Sequence, residues 1–249
     1  MKLSPSPMYT YPERTTFMAG LAYGVIAFFT FPFLALYFSQ GFRDSGSLSW
    51  FEIVYHVINF FAAIYIFRDY LKDSFMDVEC NLKPFLSTVT ECTILILAYS
   101  FLLPRFLPSF LSEHAAILSY DALPPTVEME IFNTTRNLIL VNPVIGTVCT
   151  VLLAPVTISC LYYASGFAPV CGNYPWLAYP VVAVALAIPR ICNALTFWPF
   201  EEELILYLVQ LPVHIIACAA YQKTDTVWAP IAVHAIVNLL GSILLLFSY

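Results

Sequence analysis

The sequence predicts an all-α protein, a polytopic membrane helical bundle of about seven transmembrane helices. Three observations carry that expectation. Of 249 residues, 60% are hydrophobic and only 10% are charged, whereas an average soluble domain carries about 25% charged residues. The apolar residues gather in runs near the length of about 20 residues that a bilayer-spanning helix needs. The chain is also rich in aromatics, with 21 Phe and 16 Tyr; tyrosine and tryptophan suit the two membrane interfaces.

The first sixteen residues are polar and contain Pro5, Pro7 and Pro12. They do not resemble a cleavable signal peptide, so the first apolar run is expected to stay in the membrane. The expected spans, in chain order, are 17–38, 50–67, 84–103, 138–163, 176–197, 204–221 and 227–247. Residues 106–136 form the longest polar-leaning interval, with "FLPSFLSEHAAILSY" readable as an interfacial amphipathic helix and "DALPPTVEMEIF" as a surface connector. The chain thus divides into an N-terminal three-span region with its connector (1–137) and a C-terminal four-helix part (138–249). No internal repeat is evident.

Charge sets the orientation. With seven spans, Lys2, Arg14, Arg68, Lys72, Lys83 and Lys223 fall on one side, and Arg43, Arg105 and Arg136 on the other. The positive-inside rule then places the N-terminus in the cytoplasm. Net charge is −6 and the basic residues are scattered, so no nucleic-acid-binding stripe is present. The seven cysteines include no CxxC pair, which argues against a zinc knuckle or a redox motif. Cys149, Cys160, Cys192 and Cys218 lie inside apolar runs and read as small buried hydrophobes.

Ionisable groups inside membrane spans are costly and point to function by default. Glu52 and His56 stand four apart on the second span; they read as an interfacial pair or a proton-linked site. Glu91 in the third span is flanked by Thr88, Thr90 and Thr93, and reads as a hydrogen-bonded carboxyl or as a carboxylate facing a cavity. Arg190 and Asn193 come after Pro189 in "AIPRICNALTF"; an unpaired buried charge is costly, so Arg190 needs a cavity, an acidic partner or an interface. "WPFEEEL" (198–204) reads as a helix start, its carboxylates favourable at the N-terminal end of the dipole. His214 lies two residues after Pro212, and His234 and Asn238 share a face of the last span. Two histidines fall short of a metal site, which normally wants three protein ligands.

The stretch "YQKTDTVWAPIAVHAIVNLLGSILLL" (221–246) resembles the last motif region of the CPBP family. These are the CAAX proteases and bacteriocin-processing (Abi) proteins, and members commonly carry a pattern like "YxRTGSLWAPILxHAxxN". Tyr221, Lys223, Thr224, Trp228, Ala229, Pro230, His234, Ala235 and Asn238 match, and Asp225 stands where glycine is usual. The resemblance covers roughly 138–247 and implies a core of about four helices around an intramembrane cavity. It also implies intramembrane metalloprotease chemistry, in which a glutamate pair, an arginine, two histidines and an asparagine act on a peptide bond. Amide hydrolysis needs an activated water, a proton donor for the leaving amine and charge stabilisation, and a metal supplies part of this by acidifying water.

The departures are specific. "LLAPVTISCLYYASGF" (152–167) occupies the place of the family's "LAPxxEExxFRG". Ala154 and Pro155 match, the glutamate positions fall on Ile158 and Ser159, and the arginine position falls on Tyr163. No acid occurs between Glu130 and Glu201, so no shift of register restores the pair. Asn193 occupies the first-histidine position, and His214 matches no family ligand. The resemblance implies a catalytically degenerate member that binds a peptide, a prenylated (lipidated) partner or a membrane protein, surrounded by membrane lipids. The alternative is an active endopeptidase in which Glu91, Glu202 or Glu203 replaces the lost acids, with a divalent metal such as zinc at His234. No cofactor is expected otherwise. A third reading is a transporter or channel component using Glu52, His56, Glu91 and Arg190, although the spans show no inverted repeat or paired broken helices.

Overall fold

The computed structural model describes residues 12–41, 45–106, 134–196 and 200–247, and every regular element among them is helical. We number the helices α1 (Arg14–Gly41), α2 (Ser45–Cys80), α3 (Leu82–Phe106), α4 (Thr134–Val141), α5 (Pro143–Cys171), α6 (Pro175–Thr196), α7 (Phe200–Thr224) and α8 (Trp228–Phe247). Two of the described stretches, Leu82–Ser100 and Pro143–Cys171, are long and apolar enough to cross a membrane. Large apolar side chains stand exposed on the outer faces of several others, including Phe61, Tyr65, Val184 and Leu244.

Against the seven expected spans, those two stretches qualify by length and composition, and two of the expected segments have different bounds in the structure. The apolar run 50–67 implies an end near Phe67, but α2 continues through 36 residues to Cys80, about 54 Å at 1.5 Å per residue. Its last part, 68–80, is amphipathic. Tyr70, Leu71, Ser74 and Val78 are buried, at spacings that keep one helical face inward. The expected span 138–163 begins differently. Leu138 belongs to the short α4, the chain breaks at Asn142, and Pro143 opens α5. Proline suits a first helical position, where its missing N–H would be unpaired anyway. The expected connector 106–136 falls mostly outside the described residues.

α5 is not a uniform α-helix. π-helical turns occupy Cys149–Leu153 and Ser159–Phe167. The Ala154 N–H donates to Cys149 O, and the Ala168 N–H to Tyr163 O, each spanning five residues. Pro155 and Pro169 each come just after such a turn. A proline cannot donate to the carbonyl four residues back and clashes with it, and a wider turn relieves that crowding.

α5 lies at the centre. Its Cys160, Tyr163, Ala164, Phe167 and Cys171 form one core with Phe67 and Tyr70 of α2, Val182 of α6, Ala217 and Tyr221 of α7, and Val227 beside α8. α3 joins through a second core, in which Val89, Cys92 and Ile96 meet Ala220 of α7 and Ala229 and Val233 of α8. α1 packs on α2, α5 and α6. Tyr23 donates to Asn59, and Gly20 lies against Phe67 and Ser165, where a Cβ would collide with both side chains.

Candidate functional site

The segment 221–230, which carries much of the family-like pattern, is first of all a joint. α7 ends at Thr224, and Asp225 turns the chain at φ 53°. That left-handed position just past a helix end is where glycine is favoured. Asp225 N–H donates to Tyr221 O at 2.7 Å. Burial first, and then the charge of Asp77, raise the Asp225 carboxyl to about 6. Its Oδ1 is buried with no hydrogen-bond partner among the described residues.

The next residues satisfy the open N-terminal donors of α8, which no helix can satisfy internally. Ser74 of α2 donates its hydroxyl to Thr226 Oγ1 (2.7 Å), while Thr226 donates to Ser74 O (2.9 Å). Val227 N–H donates to Ser74 Oγ (3.1 Å) and Trp228 N–H to Thr226 Oγ1 (3.3 Å). Ala229 N–H donates to Thr226 O (3.3 Å), and Pro230 has no N–H to place. The Trp228 indole donates to Leu71 O at 2.9 Å, and Phe75 packs edge-on to it. Tyr70 and Tyr221 join hydroxyls at 3.0 Å. The amphipathic end of α2 is thereby latched onto the α7–α8 turn.

Deeper along α8, His234 is buried. Its Nε2 lies 2.9 Å from Tyr163 Oη, and the same hydroxyl lies 2.7 Å from His214 Nδ1. Tyr163 is fully buried. Its ring is nearly parallel to that of His234 (15°), and the two imidazole centroids are 5.3 Å apart. Three elements build this cluster: the π turn of α5 supplies Tyr163, α7 supplies His214 just after its internal Pro212, and α8 supplies His234. Tyr162 packs edge-on against His214.

The other expected site residues are scattered around this cluster. Asn238 does not join the imidazoles; its Nδ2 donates to Thr150 O (2.9 Å) in the first π turn of α5. Ser159 is fully buried on α5 one turn before Tyr163, and its Oγ has no partner among the described residues. Ile158 packs at the edge of the main core. Glu91 accepts from Ser87 (3.1 Å) and from Lys223 (3.0 Å). That pair is more than half exposed, so this carboxylate is engaged at the surface and away from the buried histidines. Glu202 and Glu203 stand in the first turn of α7, twelve and eleven residues before His214, or about 17 Å along the helix axis. Their side chains, with those of Glu52 and Asn193, lie outside the described residues. His56 stacks edge-on to Tyr55, and Arg190 donates to Gln210 at 2.7 Å. Among the described residues no group of three His, Cys, Asp or Glu is placed to hold a metal.

Sequence reasoning passes over Tyr163 as merely the residue standing in for an arginine, and sets His214 aside. A readable signal is there: two histidines on neighbouring apolar helices need polar partners when buried, and Tyr163 stands on the helix between them. Chemically, the cluster supplies one phenol and two imidazoles, and no carboxylate bonds to either ring among the described residues. Comparison of the chain with protein-family models, with curated proteins and with solved structures returns no match.

Proposed function

We propose that this chain is a multi-pass integral membrane protein with a CPBP-like helical frame. It has lost peptidase chemistry and acts by binding a peptide, a lipidated partner or another membrane protein. The observation that carries the reading is the place of Tyr163. Its hydroxyl is hydrogen-bonded to an imidazole nitrogen of both His214 and His234, so neither of those nitrogens is open to a metal or a nucleophilic water. Where the family-like pattern calls for two acids, Ile158 lies at the core edge and Ser159 is buried. A positioned acid–base group contributes about 100- to 10,000-fold, so losing the acids removes most of such a mechanism. The many large apolar side chains exposed on the helices, among them Phe61, Tyr65, Val184 and Leu244, support a lipid environment, where such surface carries no aggregation liability.

The test is direct. The protein is purified, reconstituted into liposomes and incubated with prenylated C-terminal peptides and unmodified peptides, with and without zinc. The expected result is no cleavage, together with saturable photo-crosslinking of a prenylated peptide. Turnover by the wild type that disappears in His234→Ala would establish the endopeptidase reading instead.

A further inference from the structure

Tyr163 carries one hydroxyl hydrogen but faces two ring nitrogens, His214 Nδ1 at 2.7 Å and His234 Nε2 at 2.9 Å. A hydroxyl donates once and accepts at its lone pairs. With both rings neutral, as expected of imidazoles buried without a counter-charge, one facing nitrogen must carry N–H and the other must not. Only two arrangements meet this. In the first, His214 Nδ1–H donates to Tyr163 Oη and the hydroxyl donates to His234 Nε2; both rings then carry their hydrogen on Nδ1. In the second, all donors reverse and both rings carry it on Nε2. The two histidines therefore change tautomer together.

We propose that Tyr163 is a proton relay between His214 and His234. The step balances. A proton from solvent water is taken up at His214 Nε2, the Nδ1 proton passes to Tyr163 Oη, the hydroxyl hydrogen passes to His234 Nε2, and the proton on His234 Nδ1 passes to solvent water. One proton enters and one departs, no bond between heavy atoms changes, and no net charge stays in the core. His214 is the entry side, because it is partly exposed while His234 and Tyr163 are buried. Tyr162, Arg190 and Cys218 lie within electrostatic reach of the chain. Among the described residues no carboxylate hydrogen-bonds to either ring to trap the proton. The π turn that begins at Ser159 places Tyr163 between the two rings.

The relay does not depend on any bound partner, so its test is separate from the peptide assay. Protein carrying ¹⁵N-histidine is studied by NMR in nanodiscs, with the rings assigned by single His→Asn replacements. The wild type should show His214 and His234 in the same tautomer. Exchange of the His234 ring N–H with solvent should slow by about a hundredfold in Tyr163→Phe, the scale of a positioned proton-transfer group. His214→Gln, which keeps the phenol and removes the entry ring, should slow it likewise, and serves if the phenylalanine variant does not fold. Opposite tautomers in the wild type would overturn the proposal, as would unchanged or faster exchange in a folded variant.

Discussion

At the scale of the residue, Asp225 breaks a local rule, and the breach has a pH signature. A left-handed turn residue is most comfortable as glycine, and aspartate tolerates it better than most side chains. Here the carboxyl is also partly buried beside Asp77, which holds it at about 6 instead of 3.8. A carboxyl whose folded-state value is raised favours the folded state below its unfolded value, and that contribution is lost as pH rises through about 6. Asp225→Asn removes the titration and keeps the shape. In thermal melts of detergent-solubilised protein, the wild type should lose stability relative to Asp225→Asn between about pH 4 and pH 6.5 and run parallel to it above that. Asp225→Gly should relieve the backbone as well, adding about 1 kcal/mol or less. Parallel pH curves for wild type and Asp225→Asn throughout would refute the assignment.

At the scale of the element, the helical class was legible because apolar run length and low charge are one-dimensional properties. The helix ends were less so. α2 overruns its apolar run because 68–80 keep a buried face through Tyr70, Leu71, Ser74 and Val78, and partners far along the chain, Tyr221, Thr226 and Trp228, decide whether that face has a use. The break at Asn142 depends likewise on α4 folding back against α5. Gly146 sits at that contact. A Cβ there would lie 2.5 Å from Leu138 O and 2.7–2.8 Å from other backbone atoms of α4. Backbone cannot step aside as a side-chain tip can, so Gly146→Ala should cost about 1–3 kcal/mol, the range for overpacking. Gly166 is the control: its Cβ would meet only Val182 Cγ2, at 3.9 Å. Gly166→Ala should melt within about 0.5 kcal/mol of wild type, as substitutions free of a named conflict do. Equal melting temperatures for the two variants would show that the α4–α5 contact is looser than these distances.

At the scale of the whole molecule, the same contacts bear on which ends of the helices share a side. The end of α2 meets the α7–α8 turn through Ser74 and Thr226. The start of α6 meets the end of α7 through Tyr179, which donates to Gln222 at 2.6 Å, and Lys223 reaches Glu91 of α3. Arg68, Lys72, Lys83 and Lys223 therefore gather toward one end of the bundle. Under the membrane reading proposed above, an excess of basic residues at one end would mark that end as cytoplasmic. The candidate site was less legible than this arrangement, because Tyr163 and His214 become partners only when α5, α7 and α8 are side by side. Cys80, the last residue of α2, offers a test of the sidedness. It is exposed, whereas Cys92, Cys149, Cys160, Cys171 and Cys218 are buried. A membrane-impermeant maleimide should label Cys80 in inside-out vesicles and leave it unlabelled in right-side-out vesicles, with Cys80→Ser abolishing the signal. Labelling only from the opposite side would reverse the orientation. Equal labelling of Cys80 in both preparations of sealed vesicles would remove the case for a fixed membrane orientation altogether.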